Sequence, residues 1–175
     1  MAADASWVRE HIRDIADYPR PGVTFRDITP LLGNPAAFGR TVDDLVSGFH
    51  DVAVDRVVGV ESRGFILAAP VAYRLRAGFV PVRKAGKLPW AVAREEYQLE
   101  YGTDKLEIHR DAIHPAERVL IIDDVLATGG TAEAACTLVE RAGAIVTGIS
   151  VVLEITALDG RARLAGRNVS ALLAV

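Results

Sequence analysis

Two kinds of apolar run alternate along this chain. Short unbroken ones, such as Arg118–Ile122 (RVLII) and Ile145–Leu153 (IVTGISVVL), suit strands covered on both faces. Between them apolar residues return every three or four positions, as in Phe38, Val42, Leu45, Val46 and Phe49, which is the stripe of a helix. The pattern predicts a helix from about Ser6 to Ala16 (Val8, Ile12, Ile15) and a second opened by Asn34 as N-cap with Pro35 in its first turn. A strand at Arg56–Val60 follows, and beyond Glu61–Gly64 a helix running to about Arg76. Pro70 is expected to kink that helix or delay its start. Strands are then predicted at Phe79–Val82, Arg118–Ile122, Ile145–Leu153 and Val169–Val175, with a helix at Thr131–Arg141 closed by Gly143. Strand and helix in alternation predict an α/β domain with a largely parallel central sheet flanked by helices.

Two stretches depart from that alternation. Tyr18–Pro35 holds four prolines and two glycines in 18 residues, a composition that resists both helix and central strand. Arg83–Arg110 sets charged residues between Tyr97, Leu99 and Tyr101, then Leu106 and Ile108, around Gly102. It reads as an antiparallel hairpin or flap, largely exposed.

A chain of 175 residues fits one domain, 1–175, with a core large enough to need no covalent help. Cys136 is the single cysteine, so no internal disulfide forms and a small buried thiol is expected. The longest uncharged run is 12 residues, short of the roughly 20 that cross a membrane. Met1–Ser6 has no signal-peptide pattern, and a cytoplasmic protein with no membrane partner is expected. Twenty Lys and Arg against 23 Asp and Glu give a net charge of −3. That argues against nucleic acid as a partner but leaves room for a small anion at a local positive cluster.

Val119–Thr131 (VLIIDDVLATGGT) carries the chemistry. A hydrophobic strand ends in Asp123 and Asp124, where α/β proteins bind ligands, and paired carboxylates there can accept hydrogen bonds from vicinal hydroxyls. Ala127, Thr128, Gly129, Gly130 and Thr131 then open a helix. The glycines permit close backbone approach, and successive N–H groups with two threonine hydroxyls suit a phosphate. Diol and phosphate together describe a ribose 5-phosphate. The G-x-x-x-x-G-K-[ST] and G-x-G-x-x-G strings of other nucleotide sites are absent.

That string resembles the phosphoribosyl-pyrophosphate signature of the type I phosphoribosyltransferase family. Tyr18–Leu31 (YPRPGVTFRDITPL), Val60–Leu88, Glu96–Ile108 (EYQLEYGTDKLEI) and Leu153–Leu164 are similar to its adenine-specific members, so the likeness runs from about Ile12 to the C-terminus. It implies the type I phosphoribosyltransferase fold, with a base-binding N-terminal hood at about 18–35 and a mobile antiparallel flap at about 85–110. The implied partners are phosphoribosyl pyrophosphate and adenine as substrates, AMP and pyrophosphate as products, and a second copy of the chain in a homodimer. By the same resemblance Asp123 and Asp124 hold the ribose hydroxyls and residues 127–131 the 5′-phosphate. Arg63, Lys84 and Lys87 meet the pyrophosphate, and such a basic segment can serve the partner subunit's site. Glu100 and Tyr101 (LEYG) belong to the catalytic flap, Phe25 stacks on adenine beside the backbone of Phe25 and Arg26, and Ile155 covers its other face. Mg²⁺ is the implied cofactor, held mainly by substrate oxygens and water rather than by a dedicated protein site. His11, His50, His109 and His114 show no ligand spacing. Two other readings stay open: a regulator that senses phosphoribosyl pyrophosphate or a nucleotide without turning it over, and a transferase for another base.

Overall fold

In the computed structural model, which describes residues 6–49, 51–98 and 103–175, the first predicted helix is shorter than its apolar stripe. Helix α1 is Ser6–Glu10, and Arg13–Ile15 forms strand β1, antiparallel to β2 (Phe25–Asp27). The physical reason is cross-strand charge: Asp14 lies opposite Arg26 and binds it at 2.5 Å, while Arg13 faces Asp27 at 3.7 Å. Only Val8 of the expected stripe is buried, and Ile15 is exposed. The proline-rich stretch thus holds β2 and a short helix, α2 (Thr29–Gly33), with proline in its first turn. Asn34 caps α3 (Pro35–Ser47) as expected, its Oδ1 accepting from the N–H groups of Ala36 and Ala37 at 3.0 Å each.

The alternation that follows is β3 (Arg56–Val60), α4 (Arg63–Leu75), β4 (Gly78–Lys84), β5 (Val92–Gln98), β6 (Thr103–His109), β7 (Arg118–Leu126), α5 (Gly130–Arg141) and β8 (Ile145–Glu154). A 3₁₀ turn (Thr156–Leu158), α6 (Gly160–Arg163) and β9 (Val169–Ala174) complete it. Pro70 neither ends nor delays α4, which starts at Arg63 and continues past it. One sheet of seven strands has the order β5-β6-β4-β3-β7-β8-β9. From β4 to β9 the pairing is parallel, and β5 and β6 add an antiparallel ribbon. Strand β4 changes partner along its length: Gly78–Val82 pair with β3, and Arg83 and Lys84 pair with Glu107 and Leu106 of β6.

Alternate residues of β7 explain the layers. Val119 and Ile121 face one apolar cluster with Leu138 and Val139 of α5, whereas Leu120 and Ile122 face the other with Leu45 of α3 and Leu67 of α4. Both sides of the strand are therefore covered, which is why its sequence is apolar without interruption. The ribbon is not largely exposed, as its alternation suggested: Tyr97, Leu106 and Ile108 join the α5 side of the core, and Glu107 is 1% exposed. Pairing of β6 with the end of β4 brings that face inward. Among the described residues no helix is long and apolar enough to cross a membrane.

Candidate active site

A cleft of about 720 Å³ opens at the carboxyl ends of β3, β4 and β7. Its position follows from the parallel sheet, because the turns that leave those ends lie side by side. Asp123 and Asp124 lie inside β7, which runs on to Leu126, and not beyond its end as the apolar run suggested. Pairing with β8 continues through Asp123↔Val151 to Leu126↔Glu154, so the ladder tolerates the acids and holds them fixed. Asp123 Oδ1 accepts from the N–H of Asp124 at 2.9 Å. Burial, followed by the charge of Asp124, pushes the Asp123 carboxyl well above the usual carboxylate range.

Residues 127–131 line the same cleft and lead into α5. Gly129 occupies the position before the helix with φ +83°, a left-handed conformation that a side chain would strain. Gly130, Thr131 and Ala132 of the first turn of this 12-residue helix line the cleft beside Thr128, and the first N–H groups of a helix have no partner within it.

Arg63 enters from the other side at the head of α4, its guanidinium 2.7 Å from Asp124 Oδ2 and 5.0 Å from the ring centre of Phe25. Close packing permits this approach: a Cβ on Gly64 would stand 2.9 Å from Asp123 Oδ1 and 3.1 Å from the carbonyl oxygen of Ile122. Lys84, at the end of β4, binds Asp104 at 3.0 Å. That pair raises the Lys84 pKa, and Asp104 stays below the usual range although burial opposes its ionisation. Lys87 binds Glu61, which also accepts from Arg83 Nε at 3.3 Å and from the N–H of Lys84 at 3.1 Å. Burial works against charge on Glu61, yet Lys87 and this N–H outweigh it and the net shift is downward.

The structure thus brings Arg63, Lys84, Lys87, Asp123, Asp124 and residues 127–131 together in a cleft of one chain. Phe25 reaches it through Arg63 and meets Tyr18 edge to face at 5.3 Å. The Arg26 side chain turns away to Asp14. Half-buried Ile155 is outside the cleft lining, though its N–H donates to the carbonyl of Leu126, which lines it. Glu100 and Tyr101 lie outside the described residues. Sequence reasoning missed Glu61, Tyr97 and Asp104 on the cleft wall. Glu61 stood two places before Arg63 in the same turn, and Asp104 is the register partner of Tyr97, a cross-strand signal that needs the pairing to be visible.

Residues 35–165 match the family model of the phosphoribosyl transferase domain, so fold and cleft together define a phosphoribosyltransferase. The chain is 56% identical over 168 residues to an adenine phosphoribosyltransferase of Acidothermus cellulolyticus, with 96% of this chain and 95% of that one covered. It superposes on the adenine phosphoribosyltransferase of Rhodothermus marinus with a TM-score of 0.94, 50% identity and full coverage of both chains. With that of Saccharomyces cerevisiae, in complex with an imino-altritol bisphosphate and adenine, the values are 0.92 and 38%, covering 99% of this chain and 100% of the other. The chain belongs to the adenine phosphoribosyltransferase family.

Proposed function

We infer that this protein transfers the 5-phosphoribosyl group of phosphoribosyl pyrophosphate to N9 of adenine, giving AMP and pyrophosphate. The convergence of an acid pair, a glycine loop at a helix head and several cations in one cleft carries this reading. The near full-length likeness to adenine phosphoribosyltransferases supplies the base.

The Asp123 and Asp124 carboxyls take the ribose hydroxyls, and the N–H groups and hydroxyls of 127–131 take the 5′-phosphate. The bond between C1 and the pyrophosphate oxygen breaks as the bond to N9 forms, so C1 gains positive and the leaving group negative character. Arg63, Lys84 and Lys87 meet that developing charge. Phe25 stacks on adenine, the backbone of Phe25 and Arg26 reads its edge, and Ile155 covers the far face. The hood of residues 18–35 presents the base, and the flap of residues 85–110 closes over the donor within a single domain. Glu100 takes the N9 proton, with Tyr101 beside it in the flap, on the strength of the LEYG motif.

Among the described residues no three His, Cys, Asp or Glu side chains are grouped to hold a metal ion. A hydrated Mg²⁺ arriving on the donor's own oxygens requires no such group. When bound, the ion would neutralise pyrophosphate charge. A homodimer is supported by the outer face of α4 and the adjoining strand, where Ile66, Tyr73 and Phe79 are exposed. The single, buried cysteine suits the cytoplasm.

The test is a spectrophotometric assay of AMP formation from adenine, phosphoribosyl pyrophosphate and Mg²⁺, with hypoxanthine, guanine, xanthine and orotate as competing bases. Faster turnover of any of these than of adenine overturns the base assignment. Tight donor binding with no turnover of adenine overturns the enzyme reading.

A further inference from the structure

Every cation described on the cleft wall is already matched by a carboxylate of the same chain: Arg63 by Asp124, Lys84 by Asp104 and Lys87 by Glu61. Glu61 differs from the other two acids in what it gathers. Its side chain is 9% exposed and collects Lys87 Nζ, Arg83 Nε and the N–H of Lys84, so one carboxylate faces two positive charges and a backbone donor. Those donors surround the kind of group a phosphate presents, several oxygens sharing negative charge.

The loop that carries Lys87 has other supports. The N–H of Ala85 donates to the carbonyl of Lys105 at 3.0 Å, and that of Gly86 to Glu107 Oε2 at 2.9 Å. Arg83 also donates to the carbonyl of Lys87 at 3.1 Å. Glu107 is fixed in turn by Arg94. The backbone path is therefore set mainly by β6, with Glu61 adding the bond from the Lys84 N–H, and the charge on Glu61 acts on the Lys87 and Arg83 side chains.

We propose that Glu61 is a positioning residue that serves as an exchangeable counter-anion, holding Lys87 until donor or product binds and then releasing it to the pyrophosphate group. This rests on the functional reading above. Pyrophosphate must displace a partner that Lys87 already has, which weakens its hold and speeds its departure. Lys87 is 47% exposed, so the displaced pair is of the modest, partly solvated kind.

The test is calorimetric titration of the full chain with magnesium pyrophosphate, comparing wild type with Glu61→Gln. The amide oxygen can still accept from the Lys84 N–H, while the charge is lost and the oxygen that faced Lys87 becomes an NH₂ donor. Pyrophosphate should bind about two- to fivefold more tightly to the variant, from the strength of a partly exposed ion pair, and the gain should shrink at high salt. A merely structural Glu61 would loosen pyrophosphate and lower the melting temperature together. A second measurement is Lys87→Met in both backgrounds, where the loss of affinity should be greater in the Glu61→Gln background than beside the native acid. If Glu61→Gln fails to fold, Glu61→Asp, whose shorter arm strains the bond to Lys87, should shift affinity in the same direction. Unchanged or weaker pyrophosphate binding in the folded variant overturns the proposal alone. A wild type that neither binds pyrophosphate nor forms AMP overturns the functional reading and the proposal with it.

Discussion

Replacing Gly64 by alanine tests how tightly α4 is seated against the acid pair. The new Cβ would lie 2.9 Å from Asp123 Oδ1, 3.1 Å from the Ile122 carbonyl oxygen and 3.4 Å from Asp123 Cα. None of these neighbours is the free end of a flexible side chain. Ile122 is paired with Gly59 on one side and Ser150 on the other, and Asp123 Oδ1 is held by the Asp124 N–H. One excess methyl in such a place costs about 1–3 kcal/mol, and the better helix propensity of alanine returns at most about 1, less in a first turn. A net loss of about 1–2 kcal/mol should lower the melting temperature by roughly 2–8 °C for a chain of this size. Relief requires either that the Asp123 carboxylate leave its N–H or that the start of α4 lift, taking Arg63 from Asp124. Both disturb the donor's place, so KM for phosphoribosyl pyrophosphate should rise more than KM for adenine. Thermal melts and initial-rate kinetics measure the two effects. A variant with unchanged melting temperature and unchanged donor KM would refute the close-approach argument.

Asp123→Asn should separate stability from function. A carboxyl whose pKa is raised by folding contributes stability below its unfolded value, about 3.9, and loses it as pH rises through the folded value. The Asn variant should therefore melt higher than wild type at neutral pH, converge with it in acid, and bind donor more weakly; a variant less stable at pH 7 refutes the sign. Arg63→Ala removes a charge-assisted contact and leaves Asp124 without it, so kcat/KM for the donor should fall roughly ten- to a hundredfold; near-normal kinetics would refute its role. Asn34→Ala frees two N–H groups at the head of α3 and should cost about 1 kcal/mol in denaturant melts without altering KM.

What could be read from the sequence followed from periodicity. The core strands were legible because burial on both faces leaves no polar residue in VLII, and α3 because Asn34-Pro35 and its stripe agree. Arg13–Ile15 was not, since a three-residue edge strand has no period of its own and Ile12 and Ile15 happen to extend the spacing of Val8. Asp123 and Asp124 were found at the right place but assigned to the strand's end, because charge inside a central strand is tolerated only where a cleft opens on it. The base-side residues came from family likeness alone: a ring such as Phe25 looks like any core aromatic until Arg63 is seen 5.0 Å from it. Glu61 stayed hidden because an acid in a turn is ordinarily a solvated group, and only folding sets Arg83 and Lys87 around it.

The change of partner along β4 divides the protein into a conservative part and an editable one. Among the described residues the ribbon joins the parallel sheet at a short junction, the pairs Arg83↔Glu107 and Lys84↔Leu106 with the Ala85 N–H on the Lys105 carbonyl, so residues can be added to or removed from its far end without shifting the register of Arg56–Gly59 against Val119–Ile122. A lineage, or a protein engineer, can vary the length and composition of that ribbon while the floor of the cleft stays as it is. Lys84 is the exception, since it belongs to both parts: a graft that fails to reproduce its pairing would alter the floor as well.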